Sequence, residues 1–141
     1  MPAGGTVRRV PRSSFRFVCA PAALEGAPAN WAREMLVDGE IALLVDSGGF
    51  AAISDVAHSL DLLSVPILRT EQTAARQEQT VIAYAESLPL IWAAGAFSPD
   101  ATDWAHERGP MTLLVQAIGP LPESERRRID RFVATLGRQS E

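Results

Sequence analysis

"IALLVDSGGFAAISDVAHSLDLL", residues 41–63, decides the architecture of this chain. Its first half is an apolar run closed by an aspartate, a serine and two glycines, the pattern of a buried strand entering a tight turn. Its second half decides between two folds. Ile53, Val56, Ala57 and Leu60 recur at intervals of three and four, which places them on one face of a helix over residues 50–63. A helix there carries the chain back between two like-directed strands, whereas an extended hairpin would build a different sheet.

The remainder of the chain agrees with the helix. Apolar runs rich in strand-forming residues stand at "FRFVC" (15–19), "IALLV" (41–45), "VPIL" (65–68), "LIWAA" (90–94) and "MTLLVQAI" (111–118). Between them lie stretches of helical period. Residues 28–38 open with Pro28 and turn Trp31, Ala32, Met35 and Leu36 inward, and residues 71–87 are capped by Thr70. Ser98 and Pro99 start a helix that Gly109 ends, and Ile129, Phe132, Val133 and Leu136 mark one over 123–137. The apolar runs are continuous instead of alternating, as strands buried on both faces must be. The expected fold is therefore α/β: a single-domain, doubly wound, Rossmann- or flavodoxin-like sheet of five mostly parallel strands with helices on both faces. Residues 1–14 read as a flexible arm and 15–141 as the single α/β domain.

Composition narrows the chemistry. A chain of 141 residues is one ordinary domain, able to bury roughly 68–70% of its unfolded surface. No apolar run approaches the ~20 residues of a membrane span, and the N-terminus carries no signal-like apolar stretch, so a cytoplasmic address is expected. The formal charge is −4, with arginines gathered at the two ends, which argues against a nucleic-acid partner. The lone Cys19 can form neither an internal disulfide nor a zinc site and reads as a small buried hydrophobe. All thirteen basic residues are arginine. Without lysine, Schiff-base chemistry, a Walker-type lysine and a lysine general base are excluded within this chain.

In open α/β sheets, ligands bind beyond the carboxyl ends of the strands. That rim carries Cys19, Asp46, Ser47, Gly48, Gly49, Arg69, Thr70, Glu71, Gly95 and Gln116. The "DSGG" turn has two readings. Glycine N–H groups at a helix start could receive an anion while Asp46 orients a hydroxyl or a metal. Alternatively, Gly48 and Gly49 only supply positive φ for a corner that Asp46 or Ser47 caps. Arg69 could grip a carboxylate or phosphate, or pair with Asp46 or Glu71. The candidate binding set is thus Asp46, Ser47, Gly48, Gly49, Arg69 and Thr70, for an anionic small molecule. No catalytic residue, metal site or particular cofactor follows from it. His58 and His106 fall on polar helix faces, Asp100 and Asp103 suit a first helical turn, and Trp31, Trp92 and Trp104 suit the core, with a pocket wall as the other role for Trp104.

Two families can be set against these positions. Receiver domains of response regulators need clustered acids, a phosphorylatable aspartate and a lysine where this chain has Cys19-Ala20-Pro21, Arg69-Thr70 and Gln116, which excludes their phosphotransfer. The stretch 31–115, chiefly through "LIWAAGAFSPDATDWAHERGPMTLL", resembles the restriction-endonuclease-like domain of Mrr-type proteins. That resemblance implies two strands over 50–68 with Asp55 as a metal-binding aspartate. The place of the family's Glu/Gln-x-Lys reads Ile67-Leu68-Arg69, so the resemblance implies a catalytically inactive relative touching nucleic acid through its terminal arginines.

The primary expectation is a binding or interaction module without a catalytic constellation, assembled as a homo-oligomer or with a protein partner, because Phe15, Phe50 and Phe97 fall in places expected to be exposed. An enzyme using Asp46, Ser47 and Arg69 on a phosphorylated or carboxylate metabolite is the alternative.

Overall fold

The computed structural model describes residues 14–46, 48–62 and 65–139. The N-terminal arm expected over 1–14 lies outside them except for Ser14, and Ser47 lies outside as well. Four strands, β1 (Phe15–Cys19), β2 (Gly39–Leu43), β3 (Leu90–Ala94) and β4 (Thr112–Gln116), form one sheet. Every pairing is parallel and the order is β2-β1-β3-β4. The helices are α1 (Pro21–Leu24), α2 (Ala29–Asp38), α3 (Gly49–Ser59), α4 (Ala74–Ala85), α5 (Pro99–Arg108) and α6 (Glu123–Gln139). Among the described residues, no helix is long and apolar enough to cross a membrane.

The deciding segment is helical: α3 buries Ile53 and Val56, and Leu60 closes its buried face. The two strands implied over 50–68 by the Mrr-type resemblance are therefore absent, and Asp55 rides on a helix. Five strands were expected, and the sheet of the described residues has four. Residues 65–68 contribute only an isolated parallel bridge, in which Leu43 N–H donates to Pro66 O (2.9 Å) and Leu68 N–H donates to Leu43 O (3.0 Å). Pro66 has no N–H with which to extend that ladder.

Strand alternation sorts the core. Phe15, Phe17, Cys19, Ile41, Leu43, Ile91, Ala93 and Val115 face one apolar cluster, closed by Leu24, Trp31, Met35, Ile53, Val56 and Ile129 of α1, α2, α3 and α6. Val18, Ala42, Leu90 and Trp92 face the other, closed by Val81, Ala85 and Ala101 of α4 and α5. Each large apolar side chain so buried contributes roughly 1.5–3 kcal/mol. Phe15 is 1% exposed and Phe97 packs edge-on against Trp92 at 5.1 Å, so two of the three residues expected to need an oligomer are covered within one chain. Leu36, expected inward, is 37% exposed.

Local chemistry explains the boundaries. Ser98 caps α5, its hydroxyl accepting from Ala101 N–H (3.1 Å), and Glu78 of α4 reaches across to accept from Ser98 N–H (2.9 Å) and from its hydroxyl. A carboxylate from another helix thus completes the cap. The cap of α4 is Thr73, which accepts from Arg76 N–H (3.1 Å), three residues beyond the expected Thr70. On α6, Asp130 accepts from Trp31 Nε1 (2.8 Å), tying that helix to α2. At the open flank of β4, Arg128 donates to Leu114 O (3.2 Å) and is held by Glu125 (2.7 Å).

β2 starts two residues earlier than its apolar run because Gly39 lies under the Phe15 ring, where an added Cβ would come within 2.3 Å of ring carbons. The ring is buried and cannot swing aside. Gly39→Ala is expected to lower the unfolding free energy by about 1–3 kcal/mol through overpacking. Urea denaturation checks this, and an unchanged midpoint would count against the packing described.

Candidate functional site at the strand carboxyl ends

Beyond the carboxyl ends of β1 and β2, the edges of α1 and α3 enclose a cleft of about 460 Å³. Among the described residues its polar lining is Glu25, Asp46, Asp55 and Ser59, and its apolar wall includes Pro21, Ala22, Ala52 and Val56. The glycine turn is closed on itself. Asp46 Oδ1 accepts from Gly48 N–H (2.9 Å) and Asp46 O accepts from Gly49 N–H (2.9 Å). The N–H groups that would cradle an anion are thus taken by Asp46. The turn is a corner, but its two glycines serve different needs. Only Gly49 has positive φ (66°), whereas Gly48 is required by space, because a Cβ there would come within 2.6 Å of the Ala52 methyl group.

Arg69 and Thr70 do not join this group. Arg69 lines a separate depression of about 330 Å³ against α4, with Glu71, Arg76 and Thr80. Its Nε donates to Glu71 Oε2 (2.7 Å), and the Thr80 hydroxyl donates to the same oxygen (2.6 Å). Gln77 clamps the segment further, donating to Arg69 O (3.0 Å) and accepting from Glu71 N–H (3.0 Å). Thr70 is exposed and caps no helix. An Asp46–Ser47–Arg69 constellation therefore has its aspartate and its arginine lining different cavities.

A third cavity, a slot of about 200 Å³, lies beyond β1, β3 and β4, where Ala20, Ala22, Ala93, Gly95 and Ala117 form its walls with Ile118. Cys19, at the end of β1, is fully buried, and burial pushes its thiol up to about 12, which leaves it without thiolate chemistry at neutral pH. His58 and His106 are exposed, and among the described residues no three His, Cys, Asp or Glu side chains converge to hold a metal ion.

The arginines of α6 are largely engaged. Arg127 pairs with Glu123 (3.2 Å), Arg128 with Glu125, and Arg126 donates to Leu121 O (2.9 Å). Glu25 and Ser59 were not among the sequence candidates, and Asp55 entered only as the metal-binding aspartate implied by the Mrr-type resemblance. Helical spacing held a signal for two of them, because Ala52, Asp55, Val56 and Ser59 follow one another at three, four and seven and so share a face of α3. Glu25 follows a single-turn helix too short to have a period. No protein-family model, curated protein or solved structure matches this chain.

The Thr80 hydroxyl and the Arg69 guanidinium hold the Glu71 carboxyl below the usual glutamate range. A lowered folded-state pKa contributes stability above the unfolded pKa and loses it as pH falls through the folded one. Wild type is therefore expected to exceed Glu71→Gln in stability at neutral pH and to converge with it in acid. Denaturation midpoints across that range check the sign, and a gap that widened in acid would contradict it.

Proposed function

We propose that this chain is a small-molecule-binding module whose ligand enters the carboxyl-edge cleft between α1 and α3 and is held by hydrogen bonds that the ligand donates. The observation that carries the reading is the inventory of the cleft. Asp46 occupies both glycine N–H groups, the Ser59 hydroxyl donates to Val56 O (3.2 Å), and Glu25, Asp46 and Asp55 present only acceptors. Among the described residues, the anionic ligand suggested by the sequence would meet three carboxylates and no arginine. Each such repulsion is about 1 kcal/mol at 4 Å in water and about 4 kcal/mol at the effective dielectric near a protein surface.

The topology supports the location. Counting the bridging segment 65–68 as a fifth, edge strand next to β2, the order becomes third-second-first-fourth-fifth along the chain, the order of doubly wound dinucleotide-binding sheets. Such sheets take their ligands at the carboxyl edge, where the cleft lies. Its volume falls within the ~300–1,000 Å³ usual for small-molecule sites.

Thermal shift with two matched ligand sets tests this reading. Hydroxyl- and amine-bearing compounds are expected to raise the melting temperature, whereas their phosphorylated counterparts leave it unchanged. Ligand at 100 times its dissociation constant stabilises by about 2.7 kcal/mol. Stabilisation by phosphates alone would overturn the proposal, and so would none from either set.

Self-association is a second reading, favoured by Phe50 and Ile118, which are 67% and 90% exposed. Phe50 follows the glycine turn beside the cleft and Ile118 borders the slot. Light scattering over a concentration series is expected to show a mass above one chain, with Ile118→Asp restoring the single-chain mass; a single-chain mass throughout removes the reading.

A further inference from the structure

We propose that residues 65–69 are a docking edge for an extended acidic segment of a partner protein, which adds to the sheet as a further strand outside β2. On its inner side this segment meets β2 at Leu43, whose N–H donates to Pro66 O (2.9 Å) and whose O accepts from Leu68 N–H (3.0 Å). None of the described peptide bonds is cis, so the C=O and N–H of each peptide unit point opposite ways. Pro66 O and Leu68 N–H face β2, and Ile67 N–H and Ile67 O therefore face away from it. Among the described residues neither of these two groups has a hydrogen-bond partner, and Ile67 is 44% exposed. A donor and an acceptor of one residue, both turned outward from a sheet edge, are what an added strand pairs with. At the opposite edge of the sheet, Leu114 O is already taken by Arg128.

Charge selects the partner. Two residues beyond Ile67, Arg69 carries a side chain that is 80% exposed and engages Glu71 through Nε. Arg76, also exposed, lines the same depression and forms no ion pair among the described residues. Glu71 is the carboxylate of that depression; its side chain is 12% exposed, and it already accepts from Arg69 and from the Thr80 hydroxyl. This end of the edge therefore presents positive charge on a chain whose formal charge is −4. An acidic strand meets opposite charge there. A second copy paired edge to edge about a two-fold axis would instead bring like guanidiniums together.

A blocked hexapeptide of alternating valine and glutamate serves as the probe, read by fluorescence anisotropy and by amide hydrogen exchange of the full chain at low salt. It is expected to bind, and the Ile67 amide to slow in exchange by about tenfold at saturation. The lysine counterpart should bind about tenfold more weakly, and Arg76→Gln, at an exposed helical position, should cost the glutamate peptide about threefold in affinity. A glutamate peptide N-methylated throughout keeps its charges but has no N–H to give Ile67 O, and is expected not to bind; this arm leaves the protein unaltered. The proposal is overturned if the glutamate peptide does not bind, if it binds without slowing Ile67, or if the lysine or N-methylated peptide matches it. An affinity indifferent to Arg76→Gln overturns the acidic class. If the Ile67 amide is protected in concentrated protein alone while light scattering shows a doubled mass, a second copy occupies the edge and the acidic partner falls.

Discussion

A strand that is apolar at nearly every position has no face to give to water, and this constraint organises the molecule. Phe17 and Val18 of β1 are both fully buried, as are Leu90 and Ile91 of β3, and each neighbouring pair faces opposite sides of the sheet. Both sides must therefore be covered by helices, so each connection crosses over the sheet and returns the chain in the same direction. All four strands then end at one edge. The cleft follows from this, because α1 and α3 leave that edge from neighbouring strands and diverge above it.

The two edges of the sheet treat charge differently. At the amino edge, Glu40, Arg16, Leu90 and Thr112 stand in register across the four strands. Arg16 lies over the Tyr84 ring at 4.6 Å, pairs with Glu40 (3.4 Å) and Glu86 (2.9 Å), and donates to Tyr84 O. Burial, with Glu40 beside it, pushes the Tyr84 phenol well above its ordinary range. On the same side Arg108 stacks on Trp104 at 4.7 Å and donates to Leu88 O. The Arg16 charge is matched here by two carboxylates, and both guanidiniums serve the fold. At the carboxyl edge, Glu25 and Asp55 are exposed, and among the described residues no cation lines their cleft.

Where one physical rule acted alone, the sequence was legible. The runs 15–19 and 90–94 became β1 and β3 unchanged, and Ser98, Pro99 and Gly109 bounded α5 as their cap chemistry requires. The segment 65–68 had the composition of a strand, but a proline at a sheet edge limited it to one bridge. Thr70 and Thr73 were equivalent as caps in sequence; the hydrogen bonds that tie Arg69 and Glu71 to Gln77 hold Thr70 short of the helix. Asp46 and Gly48 were recognised as rim residues, and Arg69 was placed beside them, because strand ends identify an edge without saying which side of the sheet each following loop takes. Residue 69 leads to α4 on one face, whereas residue 46 leads to α3 on the other. Phe15 was expected in an exposed place, and the absence of a Cβ at Gly39 reveals the space its ring fills.

The contact between Arg128 and Leu114 O bears on how this protein lives among other chains. Among the described residues β4 ends the sheet with the apolar run Thr112–Gln116, and an unpaired run of that kind is a template on which a stray extended peptide can add itself. A guanidinium already seated on the middle carbonyl, and anchored by Glu125, removes an acceptor such a peptide would need and obliges it to displace a charge. One side chain from the last helix thus occupies a backbone acceptor on this strand edge, and it comes from the same helix whose Ile129 seals the core.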